Sequence, residues 1–378
     1  MKEYRLIAKT FAGLEDVLAK EVKRLGGKNV HRGNRAVYYE GNLEMIYRSN
    51  YYLRTALKVL KEIDHFQFKN VDQFYLKCKN IDWSKYLGIE ESFAIDSVVV
   101  NSRDFRNSMF ASLKVKDAIA DYFREKQGKR PNVDTNTPDI IINVHIYQNT
   151  CTISLDSSGE SLHKRGYRIK QGDAPLNEVL AAGMIMLAGW YGNSDFMDPM
   201  CGSGTIVIEA AMIAQNIPAA KFRKEFAFQS WNDYDQLLWA QVTEPSEKRE
   251  FRYKIYASDI SAGNLLNAQT NARRALVFNK ISFAVSDFAK LETNMQNGTI
   301  ITNPPYGERL KSNDLDSLYQ MIGERLKHHY PENEAWIISS AKESMKSIGL
   351  KPSAKLELYN GALECNFNKY ELFSGKRS

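Results

Sequence analysis

From residue 176 to residue 339 the sequence alternates strand-like apolar runs with segments of helical period, and this alternation limits the fold more than any other feature. Helices are expected over 176–189, 204–215, 261–275 and 313–328, and strands over 195–199, 253–258, 281–285, 298–302 and 335–339. Repeated strand and helix units of this kind predict a doubly wound, mostly parallel sheet. Residues 355–359 and 369–373 then read as an antiparallel pair at its edge. Residues 217–250 interrupt the alternation with Lys, Glu and aromatics that include Phe226, Phe228, Trp231, Tyr234 and Trp239, an insertion suited more to core packing than to stacking on bases.

The first part of the chain follows another pattern. A strand at Arg5–Ala8, apolar positions Leu14, Val17, Leu18, Val22 and Leu25 at helical spacing, and a strand at Ala36–Tyr39 describe a small α+β unit. A strand over Phe93–Val100, a helix over Ser108–Lys126 and a hairpin of Ile140–Tyr147 with Cys151–Leu155 continue it. Residues 157–173, rich in Ser, Gly and basic side chains, form the linker between the halves. At 378 residues, two to three domains are expected, and 43% hydrophobic against 25% charged residues excludes disorder as the main state. A net charge of +6 permits an anionic partner without demanding one.

Cys78, Cys151, Cys201 and Cys365 form no CxxC pair, and only His328 and His329 adjoin, so neither a zinc site nor a disulfide framework is expected. The N-terminus lacks an apolar signal region, and the apolar uncharged stretch Leu180–Asn193 is short of the ~18 residues of a membrane span. A cytoplasmic protein without membrane or metal is the expectation.

Chemistry is concentrated where strands end. Asp198-Pro199-Met200-Cys201-Gly202-Ser203-Gly204 runs from a strand into a helix, and Gly202 and Gly204 allow a sharp turn and close approach of backbone to a ligand. Position 207 is Val and no Walker lysine follows, which weakens a dinucleotide or triphosphate reading and leaves an ordinary tight turn as the alternative. The next strand ends in Asp259-Ile260, where a carboxylate can accept both hydroxyls of a ribose. The one after it ends in Ser286-Asp287-Phe288, which offers an acid and an aromatic to an adenine. Each acid alone is also a common helix N-cap; three such ends in successive units favour an adenosine pocket.

The fourth strand runs into Asn303-Pro304-Pro305-Tyr306. Two prolines cannot continue a central strand, so this end is rigid. The Asn303 side-chain oxygen and the Pro304 carbonyl are acceptors for the two hydrogens of an exocyclic amine, and Tyr306 offers a ring face to a base.

With these motifs the chain resembles the Class I S-adenosylmethionine-dependent methyltransferases of exocyclic amines, and among them the THUMP-domain RNA methyltransferases. The likeness extends through Lys114-Val115-Lys116-Asp117, Arg130-Pro131-Asn132-Val133, Leu162-His163-Lys164-Arg165-Gly166-Tyr167-Arg168 and Asn360-Gly361-Ala362-Leu363-Glu364-Cys365. It implies an α/β, Rossmann-like methyltransferase domain over 176–378, preceded by a ferredoxin-like subdomain over 1–60, a THUMP domain over 61–157 and a basic linker over 158–175. It assigns Asp198 to Gly204, Asp259, Ile260, Asp287 and Phe288 to S-adenosylmethionine, and Asn303, Pro304 and Tyr306 to the target base. Within the family, the chain resembles the guanine-N2 half of a bifunctional enzyme of bacterial 23S rRNA, whose second activity a partner chain could supply here.

Lys114, Lys116 and Arg130 in the front half, with His163, Lys164, Arg165, Tyr167 and Arg168 in the linker, are the candidate RNA contacts. A Lys- and Arg-rich helix is usually a solvated face, and residues 103–130 also hold four acids; the linker has none between Ser161 and Gln171. Two other readings stand beside guanine methylation: a methyltransferase of adenine N6 or protein glutamine, and a non-catalytic rRNA-binding assembly factor that retains the cofactor pocket.

Overall fold

The computed structural model describes residues 2–169, 176–245, 249–305 and 312–374. The front half runs β1 (Tyr4–Lys9), α1 (Glu15–Leu25), β2 (Lys28–Gly33), β3 (Ala36–Gly41), α2 (Leu43–Tyr52), β4 (Lys58–Gln67), α3 (Val71–Lys79), β5 (Ser92–Val100), α4 (Ser108–Gln127), β6 (Asn132–Val133), β7 (Ile140–Tyr147) and β8 (Thr150–Asp156). Local chemistry sets several of these boundaries. Asn42, Asn70 and Asn107 each accept a backbone N–H three residues on and so start α2, α3 and α4. The strands form one eight-stranded sheet in the order β2-β3-β1-β4-β8-β7-β5-β6. β4 makes it continuous, since Lys58–Lys61 pair with β1 while Leu60–Gln67 pair with β8. The division expected at residue 60 falls inside this strand. Leu6, Ala8, Val59, Phe93 and Ile142 pack in one core with Leu18, Ile46, Phe74 and Ile119 of the four helices.

The rear half contains α5 (Glu178–Leu187), β9 (Phe196–Asp198), α6 (Thr205–Ala214), α7 (Gln236–Thr243), β10 (Ile255–Asp259), α8 (Ala262–Arg274), β11 (Ile281–Val285), β12 (Thr299–Thr302), α9 (Ser312–His329), β13 (Glu334–Ser339), β14 (Ala354–Asn360) and β15 (Leu363–Glu371). Its seven-stranded order is β11-β10-β9-β12-β13-β15-β14. β9 to β13 are parallel, and β15 is antiparallel to both its neighbours. The antiparallel C-terminal pair forms, but its second strand lies at Leu363–Glu371 and not at 369–373: Lys355–Tyr359 pair with Glu364–Asn368, with β14 at the edge and β15 inside. The chain leaves β9 toward β10 on one side and returns through β12 on the other, which makes the β9/β12 seam the switch point where open α/β sheets bind ligands.

The insertion crosses to the front half. Phe226, Phe228 and Trp231 are buried in the front core with Tyr47 and Tyr51. The Tyr47 hydroxyl accepts the Asp235 amide at 2.9 Å, and Lys61 of β4 lies 2.9 Å from Asp233 and 4.6 Å over the Trp231 ring. Core packing, not base stacking, is the work of these aromatics.

Candidate active site

The four motif-bearing strand ends lie on adjacent strands, β11, β10, β9 and β12, at one lip of the rear sheet. The Gly loop after β9 is stitched to β10: the Cys201 amide donates to the Ser258 carbonyl at 2.9 Å and the Ser258 hydroxyl donates to the Pro199 carbonyl at 3.1 Å. The Gly202 amide donates to Asp259 Oδ2 at 2.9 Å, while Asp259 Oδ1 accepts from the Ser261 amide at 2.9 Å and from Asn264 Nδ2 at 3.2 Å.

The two glycines do different jobs. Gly202 has φ +54° and a Cβ added there would meet nothing within 4 Å, so this part of the loop faces open space. Gly204 has φ +84° and its added Cβ would stand 2.9 Å from the Ala268 Cβ of α8, so its role is close packing of helix on loop. Asp198 is 1% exposed; its Oδ1 accepts from Thr302 Oγ1 at 2.9 Å and from the Met200 amide at 3.2 Å. Burial pushes its carboxyl up to about 7, Asp259 adds to that rise, and the two hydrogen bonds oppose it. Met200 is half-buried, Cys201 and Ser203 are buried at the loop, and burial drives the Cys201 thiol well above its ordinary range.

At the β10 and β11 ends, Ile260 is 72% exposed, and Asp287 Oδ1 accepts the Ala289 amide at 2.9 Å as the cap of a 3-10 turn. Phe288 corrects an expectation. Its ring is 3% exposed and stacks 5.7 Å from Tyr330, in a core with Leu291 and Met295, so the ring is committed to packing and is not presented to an adenine. At the β12 end Asn303 is half-buried, with a buried Oδ1 that has no hydrogen-bond partner among the described residues, and Pro304 is buried. Tyr306 lies outside the described residues.

The candidate RNA contacts divide. Arg130 and Lys164 are exposed, Lys114 and Lys116 half-buried. Lys114 lies 5.6 Å over the Phe110 ring, and Lys116 pairs with Asp117 at 3.1 Å. His163 is half-buried, its Nδ1 2.8 Å from the Ser161 hydroxyl, and Lys164 pairs with Glu160. Arg165 and Tyr167 are each 1% exposed, which removes them from any RNA surface. Arg165 donates to the Leu162 carbonyl at 2.9 Å and places Nε 3.5 Å from Glu209 on α6, whose carboxylate also accepts the Tyr167 hydroxyl at 3.0 Å. Arg168 is drawn inward as well, with Nε 2.8 Å from Glu178 of α5 and Nη2 2.9 Å from the Thr205 hydroxyl at the start of α6. The stretch from Ser161 to Gln171 lacks acids in sequence but finds them in space.

Thr302, Ser258 and Asn264 were not among the sequence candidates, although they hold Asp198, the Gly loop and Asp259. The only local signal was the position of Thr302 directly before Asn303. Among the described residues no group of three or more His, Cys, Asp or Glu is arranged to hold a metal, and no helix is long and apolar enough to cross a membrane.

Comparison with known families matches residues 165–369 to an RMKL-like methyltransferase domain, 68–156 to a THUMP domain and 5–60 to an RlmL ferredoxin-like domain. A candidate RNA methyltransferase of Synechocystis, slr0064, is 37% identical over 96% of this chain and 95% of its own length. The ribosomal RNA large subunit methyltransferase K/L of Psychromonas ingrahamii is 38% identical over 96% of this chain, which spans only 49% of that protein. Among solved structures, SMU.472, a candidate methyltransferase complexed with SAH, superposes with a TM-score of 0.89 at 28% identity over the whole of both chains. A protein from Listeria monocytogenes described as an N6-adenine-specific DNA methylase gives 0.87 at 31% identity, over 98% of this chain and 96% of its own.

Proposed function

Because this chain belongs to the family of RMKL-like methyltransferases, with a ferredoxin-like and a THUMP domain in front, we propose that it methylates the exocyclic N2 amine of a guanine in 23S rRNA. The cofactor is S-adenosylmethionine. The lip fits that group: Gly202 leaves open space beside the Asp259 carboxylate, and Asp287 stands one strand further along. When bound, S-adenosylmethionine supplies an electrophilic methyl on a positively charged sulfur.

The observation that carries the reading is the buried Oδ1 of Asn303, which has no partner among the described residues. Leaving a buried acceptor unpaired costs about 1–3 kcal/mol, so such atoms are usually satisfied in a native protein. An incoming amine N–H satisfies this one. A guanine amine is a poor nucleophile because its lone pair is delocalised into the ring. Asn303 Oδ1 and the Pro304 carbonyl, accepting its two hydrogens, favour a pyramidal nitrogen and stabilise the positive charge that develops on it. The reactive edge of guanine is paired inside a helix, so the base must enter unpaired or flipped. Lys114, Lys116, Arg130 and Lys164 on the surface then meet phosphate and position the RNA without reading its sequence.

The Asn-Pro-Pro-Tyr end also suits adenine N6, and the description of the Listeria protein supports that second reading. Incubation with tritiated cofactor and rRNA from a strain lacking the protein, followed by digestion to nucleosides, decides between them. Label in N2-methylguanosine is expected; label in N6-methyladenosine overturns the guanine assignment, and cofactor binding without transfer to any RNA leaves a binder.

A further inference from the structure

We infer that Thr302 is a positioning residue that sets the aim of Asn303 by fastening the base-holding loop to the cofactor loop through Asp198. This rests on the reading of Asn303 as the acceptor for the target amine. The backbone fastens Thr302 on one side only, where the ladder to β13 runs through it, paired with Ile337, away from the cofactor loop. The parallel ladder between β12 and β9 comprises the pairs Thr299–Phe196 and Ile300–Met197, so it ends two residues short of Thr302. Beyond that point both strands run into proline, Pro199 on one and Pro304 and Pro305 on the other, and none of these has an N–H to donate. The tie at the seam is a side-chain bond, Thr302 Oγ1 to Asp198 Oδ1 at 2.9 Å, between residues 2% and 1% exposed.

The same carboxylate oxygen also accepts the Met200 amide at 3.2 Å, the first turn of the Gly loop. One atom thus holds the loop before Gly202 and the residue before Asn303. Thr is suited to the task because branching at Cβ restricts its rotamers and keeps the hydroxyl aimed across the seam. Valine has nearly the same shape and no hydroxyl. A displacement of about 1 Å at a reacting group lowers rates by about 100-fold, and the bond is placed to prevent such a displacement.

The test is steady-state methyl transfer by Thr302→Val and Thr302→Ser, with calorimetric binding of S-adenosylmethionine giving both affinity and the fraction of functional sites. Thr302→Val should lose about 10- to 100-fold in kcat, with cofactor Kd, RNA KM and site fraction within about threefold of the parent. Thr302→Ser, which keeps the hydroxyl, should retain most of kcat. The inference is overturned by a valine variant within about twofold of the parent in kcat, by equal losses in kcat and cofactor affinity, or by a serine variant that is slow. The serine arm stands by itself if the valine variant does not fold. The nucleoside labelled by the parent protein tests the chemistry separately: N6-methyladenosine would refute the guanine reading while leaving the two variants' kcat comparison intact.

Discussion

The two sheets handle polar groups in opposite ways. In the eight-stranded sheet, residues alternate between the helix-covered side and the other, and on the other side polar groups pair from strand to strand: Arg5 with Glu62 and Lys58 with Asp156 as ion pairs, Lys9 with the Asn143 amide oxygen. In the seven-stranded sheet, successive residues of one strand enter different cores: Phe196 and Met197, Ile300 and Ile301, Ile337 and Ile338. Both faces of its central strands are therefore sealed, as in parallel sheets generally. Polar side chains can then reach a ligand only where strands stop. Covering both faces forces the chemistry to one lip, whereas the front sheet spreads its polar residues and satisfies them among themselves.

The largest effect tests where the two halves meet. Arg165→Ala removes one of the two buried cations that face the Glu209 carboxylate, Arg54 being the other, and should lower stability by about 3 kcal/mol, read from urea unfolding. A change under about 1 kcal/mol would return Arg165 to the surface role that its sequence context suggests. At the lip, Asn303→Ala should reduce kcat by about 100- to 1,000-fold. Its affinity for S-adenosylmethionine should barely move; a matching loss of cofactor binding would place Asn303 in the cofactor pocket instead.

The third prediction uses pH. The Asp198 carboxyl has a folded value of about 7, above its ordinary unfolded value near 3.9, so its contribution is fully present below about pH 4 and is lost as pH rises toward 7. Between pH 5 and pH 7 the parent should lose roughly 2 kcal/mol relative to Asp198→Asn. Parallel unfolding curves for the two proteins across that window would dismiss the shift. The smallest effect belongs to the front sheet: Arg5→Ala, whose side chain is 69% exposed, should change stability by less than about 1 kcal/mol, and a larger loss would mean that its pair with Glu62 is more than surface chemistry.

What sequence could show follows the same division. The lip was legible because each part of it is local: a strand, its terminating Gly, Asp or Pro residues, and the start of the next element all lie within about a dozen residues. Phe288 was misplaced because its partner, Tyr330, comes from just beyond the end of α9. The linker was misread because the acids that neutralise it, Glu178 and Glu209, arrive from α5 and α6. The Thr302 bond was invisible for a like reason, since it joins residues 104 positions apart that only the crossover of the fold makes neighbours.

β4 carries a consequence for anyone who would recombine this family's parts. A chimera spliced at residue 60 would sever a strand whose first residues belong to one neighbour and whose remainder belongs to another. A transplantable RNA-gripping module has to take Lys58–Gln67 whole, together with β1 beside it, and at that point almost the entire front half travels with the graft.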